Sequence, residues 1–265
     1  MEKGETMKGL MTVFSIATVL LCSVAVSAGS LEFHLGVGPS LAFFGEINND
    51  IEFINVLLDE LNGLATVNGE VLLLEDLGRG ISCQAGERFW LADRFALGWK
   101  IGYSRTATVT SGTYTAIDES EISTIDILLD GYSVGGVLGG RYTFLDAGIF
   151  LSADLGAGVY YTGLDKAITF EIPSSYDPLS DHPEEGEGRY AGFAFGVELG
   201  LNLSLPITDW FGVGASIFYR AATPAGMTDN NGNSLDIDGD GMVEGVDLGG
   251  ITVQATFSLD IDLSL

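Results

Sequence analysis

The chain has 265 residues and a formal net charge of -26, with 37 Asp and Glu against 11 Lys and Arg. That balance excludes a basic patch for nucleic acid or for an anionic bilayer surface, and it suits divalent cations or a saline setting instead. Two cysteines, Cys22 and Cys83, leave little scope for a disulfide framework.

Lys3 and Lys8 precede an apolar stretch from about Leu10 to Val26, which closes on Val26-Ser27-Ala28 before Gly29. A positive start, an apolar middle and small residues at the end read as a secretory signal peptide over 1–28, leaving 29–265 as the mature domain. Leu20-Leu21 ahead of Cys22 lacks the small residue that lipidation needs, so Cys83 remains as the single mature cysteine. Glu2, Glu5, Lys3 and Lys8 cancel, so the acidic excess belongs to the mature protein. No run of about twenty apolar residues follows Gly29, and no helix is expected to span a membrane.

Beyond Gly29 the dominant period is two. Phe193, Phe195, Val197, Leu199, Leu201, Leu203 and Leu205 alternate with Ala194, Gly196, Glu198, Gly200, Asn202 and Ser204. Ile251, Val253, Ala255, Phe257, Leu259 and Ile261 alternate in the same way with Thr252, Gln254, Thr256, Ser258 and Asp260. Successive strand residues point to opposite faces, so each segment has one large apolar face and one small or polar face. Compact turns at Ala92-Asp93-Arg94, Leu145 to Gly148 and Pro206 to Trp210 join such segments as hairpins. Strands are predicted near 30–45, 79–91, 95–110, 127–144, 149–171, 190–205, 211–222 and 248–265. Long connections cover 46–78, 111–126, 172–189 and 223–247. Ile51, Ile54, Leu57, Leu58 and Leu61 follow helical spacing and stop before Gly63, so the first long connection contains a short helix. Two positions suit it: over a barrel mouth or bilayer surface, or folded on its own loop.

The polar face is mostly Gly, Ala and Ser, which fits a narrow lumen and not a water-facing exterior. The apolar face is therefore assigned to lipid, giving an all-β, eight-stranded antiparallel up-and-down transmembrane β-barrel. Aromatic residues sort by height, with Phe89, Trp99, Tyr142, Phe144, Trp210 and Phe211 toward the short turns and Tyr103, Tyr132, Tyr161 and Tyr219 toward the long loops. Glu87 breaks the pattern on the lipid face, through an interfacial position or a bulge. This architecture resembles the small outer-membrane barrels of the OmpA/OmpX type, and more loosely the OmpW-like ones, over nearly the whole mature chain. The resemblance implies a Gram-negative-type envelope, with outer-membrane lipid and the outer-membrane assembly machinery as partners. One departure is the C-terminus, Leu265, where such barrels end in an aromatic residue.

Charges on the small face form one constellation: Arg88, Lys100, Arg141 and Arg220 with Glu32, Asp154, Glu198, Asp260 and Asp262. In a narrow lumen they must pair or stay hydrated. They read either as a salt-bridged plug, which the resemblance favours, or as an ion path. A second constellation occupies the last long loop, from Asp236 to Asp247. Asp236, Asp238 and Asp240 fill positions 1, 3 and 5 of an EF-hand loop, with Gly241 at 6, Met242 offering its carbonyl, Glu244 at 9 and Asp247 at 12. The spacing resembles dockerin-type, helix-less calcium loops and implies one Ca2+, with Asp229, Asn231 and Asn233 just upstream. Catalysis has only His34 and His182 to draw on, and no serine stands at a recognisable spacing. The expected function is a non-enzymatic outer-membrane barrel with an envelope-structural or surface-presenting role. The alternatives are a narrow porin-like conduit for ions or small hydrophobic solutes, and a lipid-modifying enzyme.

Overall fold

A computed structural model describes residues 29–42, 45–64, 67–116, 122–171, 185–223, 225–237, 245–246 and 249–263. The leader over 1–28 therefore lies outside the described residues, as does His182. Alternation builds eight antiparallel strands: β1 (Ser30–Ala42), β2 (Arg79–Ala92), β3 (Phe95–Ala116), β4 (Ile122–Asp146), β5 (Phe150–Glu171), β6 (Gly186–Pro206), β7 (Phe211–Ala222) and β8 (Gly250–Asp262). Each pairs with its neighbours in sequence, and β8 pairs with β1 to close the ring. Where all eight strands run side by side, closure leaves no free ladder edge, so the backbone groups of that ring satisfy one another.

The hairpins turn where the sequence places them. Gly148 supplies the positive φ, +78°, that the β4–β5 turn requires. Bulges between Trp90 and Ala92 and between Thr143 and Leu145 absorb register near two of these turns. The first bulge falls nearer the turn than Glu87, so Glu87 keeps its place on the outer face, opposite Trp99.

Three strands, β3, β4 and β6, run longer than expected, while β5 keeps its expected span to within one residue. β3 to β6 have 22, 25, 22 and 21 residues, whereas the other four have 12 to 14. β3 continues past Thr106, which faces Gly80 of β2, and from there to Thr115 pairs with β4. Much of the expected 111–126 loop is thus strand. The long strands rise as a wall on one side of the barrel.

The helix α1 (Gly45–Asn62) is also longer than its apolar spacing suggested. Ile47, Ile51, Ile54, Leu57, Leu58 and Leu61 are buried in one apolar cluster with Ile125, Ile127, Leu129, Leu164, Ile168 and Phe170 from the inner face of the wall. The helix is therefore seated against the strands' inner face and not on its own loop alone. Met227, Leu235 and Ile237 from the last long connection complete the cluster. The lumen consequently has two zones, polar toward the short turns and apolar toward the long loops.

The exterior shows the reverse of a water-soluble protein. Phe195, Leu155 and Leu199 are 66%, 65% and 57% exposed, while Asn202, Ser216 and Gln254 face inward and are buried. Tyr132, Tyr161 and Phe193 stack along one rim of this apolar belt, with ring centroids 6.3 and 5.2 Å apart. Just beyond them the surface turns ionic, with Arg105–Asp130 and Arg189–Asp165 pairs across neighbouring strands. Trp210 and Phe211 lie together at the opposite rim, beside the β6–β7 turn.

Candidate functional site

The inner faces of seven strands, β1 to β7, bring the lumen charges into two tiers. In the tier nearer the short turns, Arg88 of β2 donates to Glu32 of β1 at 2.7 Å and to Asp154 of β5 at 3.3 Å. Arg141 of β4, in register with Asp154, donates to both its carboxylate oxygens at 2.7 and 3.0 Å and lies 3.6 Å from Glu32. Trp90 Nε1 donates to the second oxygen of Glu32 at 3.2 Å. Two guanidinium groups and two carboxylates thus span the barrel from β1 to β5.

The second tier centres on Glu198 of β6. Arg220 of β7 and the Tyr160 hydroxyl both donate to its Oε1 at 2.9 Å, and Lys100 of β3 pairs with its Oε2. Lys100 Nζ also lies 3.7 Å from the centre of the Phe218 ring, and Arg220 stacks 4.2 Å above the Tyr160 ring. Cations over aromatic faces keep part of the stabilisation that they lose on leaving water. Tyr160 then leads directly into the apolar cluster beneath α1.

Open space follows the same division. A vestibule of about 870 Å³ lies at the short-turn end, lined by Glu32, Arg141, Asp260 and Asp209. Past the first tier the lumen narrows to two cavities of about 40 Å³ each, room for a few waters. His34 lines one of them, and among the described residues neither of its ring nitrogens has a hydrogen-bond partner. Asn202 Nδ2, Ser216 Oγ and Gln254 Oε1 face the lumen in the same condition.

Of the nine charges singled out in the sequence, Glu32, Arg88, Arg141, Asp154, Lys100, Glu198 and Arg220 form these tiers. Asp260 sits opposite Glu32 at the vestibule, and Asp262 is exposed at its mouth. Sequence reasoning missed Tyr160 and Phe218 as partners of the charges. Both stand on the inner face by parity, which was the available signal. In the last long loop, Asp236 and Ile237 are described; Asp238, Asp240, Met242, Glu244 and Asp247 lie outside the described residues. The carbonyl of Asp236 accepts a hydrogen bond from Lys166 at 2.6 Å. Upstream, Asp229 Oδ1 receives the backbone N–H groups of Asn231 and Asn233, each at 2.8 Å, and its Oδ2 the Asn233 amide at 2.9 Å. Against desolvation, which raises it, these bonds from Asn233 and Asn231 hold the Asp229 carboxyl below the usual carboxylate range. That carboxylate closes its own turn.

No family model and no curated protein matches the chain. Among solved structures, it is similar to a major outer membrane protein from Thermus thermophilus, at 10% identity and a TM-score of 0.43, over 88% of this chain and 99% of that one. It is also similar to the outer membrane protein OprG from Pseudomonas aeruginosa, at 9% identity and a TM-score of 0.38, over 89% and 97%. Neisserial surface protein A matches at 11% identity and a TM-score of 0.36, over 89% and 98%. Likenesses this distant carry no weight for activity, substrate or partner.

Proposed function

We propose that this chain is a non-enzymatic barrel of a bacterial outer membrane, exported through a signal peptide over 1–28 and carrying a plugged lumen. Its role is then to support the envelope or to present acidic loops outside, with lipid and the assembly machinery as its partners. The single observation that carries the reading is the sorting of side chains: an exposed apolar belt outside, broken by Glu87, and seven lumen charges gathered into paired tiers within. An isolated barrel in water has nothing to cover such a belt, whereas a bilayer requires it. The plug is supported by the two salt-bridged tiers followed by the apolar cluster under α1. An eight-stranded barrel leaves little room for more than its own side chains.

The conduit reading draws on the vestibule, which is open as far as Arg141. Planar-bilayer recording separates the two: the plugged barrel stays silent, and steady single-channel steps from the parent protein overturn it. The membrane assignment is tested by gel migration, where a closed barrel runs differently heated and unheated in SDS. N-terminal sequencing of the membrane-extracted protein should begin at Gly29. The acidic loop from Asp236 to Asp247, with its EF-hand spacing, is proposed to hold one calcium ion outside the cell.

A further inference from the structure

The outer face of β1, β2, β3, β7 and β8 carries a groove of about 540 Å³. One wall is a single cross-strand row, Phe211, Leu259, Phe33, Glu87 and Trp99, each in register with the next. The other wall is the row two residues nearer the long loops, Phe257, Leu35, Ala85 and Ile101. Ala85, small between Leu35 and Ile101, makes the depression. Glu87 is half-buried in this apolar setting, and its Oε2 accepts a hydrogen bond from Trp99 Nε1 at 3.2 Å. Among the described residues it has no cationic partner, unlike every carboxylate of the two lumen tiers.

A carboxylate on a lipid-facing strand is costly, and nothing in the plug uses it. What it lacks is a positive donor from outside the chain. The neighbouring indole offers the same ligand a π face, and the two rows offer an apolar trough of small-ligand size. A neutral hydrocarbon would fill the trough and leave the carboxylate bare; an anion would be repelled. We infer that this groove binds an amphiphilic amine, its nitrogen between the Glu87 carboxylate and the Trp99 ring and its chain along the Leu35–Phe257 side. The inference rests on the membrane assignment proposed above.

The test uses the full barrel in phosphatidylcholine bilayers, with spin-labelled single-chain amphiphiles of equal length bearing a primary amine or an alcohol. Electron paramagnetic resonance reads the fraction of each chain that the protein immobilises. The parent should hold the amine over the alcohol by about tenfold, in a saturable way. Glu87→Gln should bring the amine down to the alcohol's level without changing the alcohol. Ala85→Leu, which fills the trough, should lose the saturable component for both, while the heat-dependent gel shift shows that each variant folds. An unchanged amine preference in Glu87→Gln overturns the inference. So does ready disulfide dimerisation through Cys83, which is exposed on the same face of β2 and would give the groove to a second copy. If the parent immobilises no chain of either kind, the membrane assignment itself fails, a result distinct from loss of the amine preference alone.

Discussion

Asn55 and Leu74 hold each other through both ends of one amide. The Leu74 N–H donates to Asn55 Oδ1 at 2.7 Å, and Asn55 Nδ2 donates to the Leu74 carbonyl at 3.0 Å. Asn48 repeats the pair with Leu77, and Asn62 with Val71. The asparagines recur every seven residues of helix, a rise of about 10.5 Å. Their partners recur every three residues of extended chain, about 10 Å. The two repeats match, so α1 carries the returning segment as a strand would, although that segment belongs to no sheet there. Val71, Leu74 and Leu77 meanwhile send their side chains into the apolar cluster. Tyr114 of β3 donates its hydroxyl to Asn62 Oδ1 at 2.6 Å and ties the ladder to the wall.

Asn55→Ala should leave both backbone groups of Leu74 unpaired, at a cost of about 1–3 kcal/mol. The loss is local. Hydrogen exchange at Leu74 and proteolysis within 69–77 should quicken while the heat-dependent gel shift persists. Asn55→Asp keeps the acceptor but loses the donor, and should fall between. Equal cleavage of Asn55→Ala and parent would show that the ladder adds nothing.

Glu198→Ala strips Lys100, Arg220 and Tyr160 of their shared acceptor. Removing one member of a buried ion cluster costs about 3–5 kcal/mol, because the remaining charges stay desolvated. Urea unfolding in lipid should show a lower midpoint, with Glu198→Gln less affected because it still accepts from Tyr160. If Glu198→Ala unfolds with the parent, water already satisfies those cations and the tier is no plug.

Leu201 and Asn202 are adjacent at nearly one depth but face opposite ways, Leu201 56% and Asn202 5% exposed. Leu201→Arg should impair insertion by about 2–4 kcal/mol, as expected for a lipid-facing arginine near the midplane. Asn202→Arg enters a lumen that already holds Asp154 and Glu198, and should be milder. Refolding yield into vesicles measures both. The opposite ranking would make the apolar face the inside.

Three carboxylates at the spacing of Asp236, Asp238 and Asp240 repel one another until a cation joins them. With Asp247 in place of the longer Glu, affinity should fall in the extracellular range of about 10⁻⁴–10⁻³ M. Calorimetric calcium titration of the detergent-solubilised barrel should saturate at one site. Asp238→Ala combined with Asp240→Ala should abolish that signal and leave the gel shift intact. A double mutant that titrates like the parent would reduce the motif to a polar turn.

The strands, their order and their inward and outward faces were legible because a period of two is a nearest-neighbour property. Consecutive hairpins then have one simple way to close. Arg141 and Asp154 could be matched for the same reason: one turn joins their strands, so their register follows from local counting. The ends of the stretch 111–126 were misread as loop because Ser111, Gly112, Thr113 and Thr115 carry little hydropathy contrast, yet pairing between 111–115 and 122–126 makes both ends strand.

Other relationships required the closed ring. Lys100 on β3 meets Glu198 on β6 across the lumen. That height depends on the stagger accumulated around all eight strands, which no local pattern records. The helical spacing of Ile51 to Leu61 established that α1 has an apolar face, but not what covers it. Only the wall decides that, because the inner faces of β4 and β5 turn apolar above the second tier, at Leu129 and Leu164. Local periodicity determined which side each residue faces; ring closure determined which residues meet.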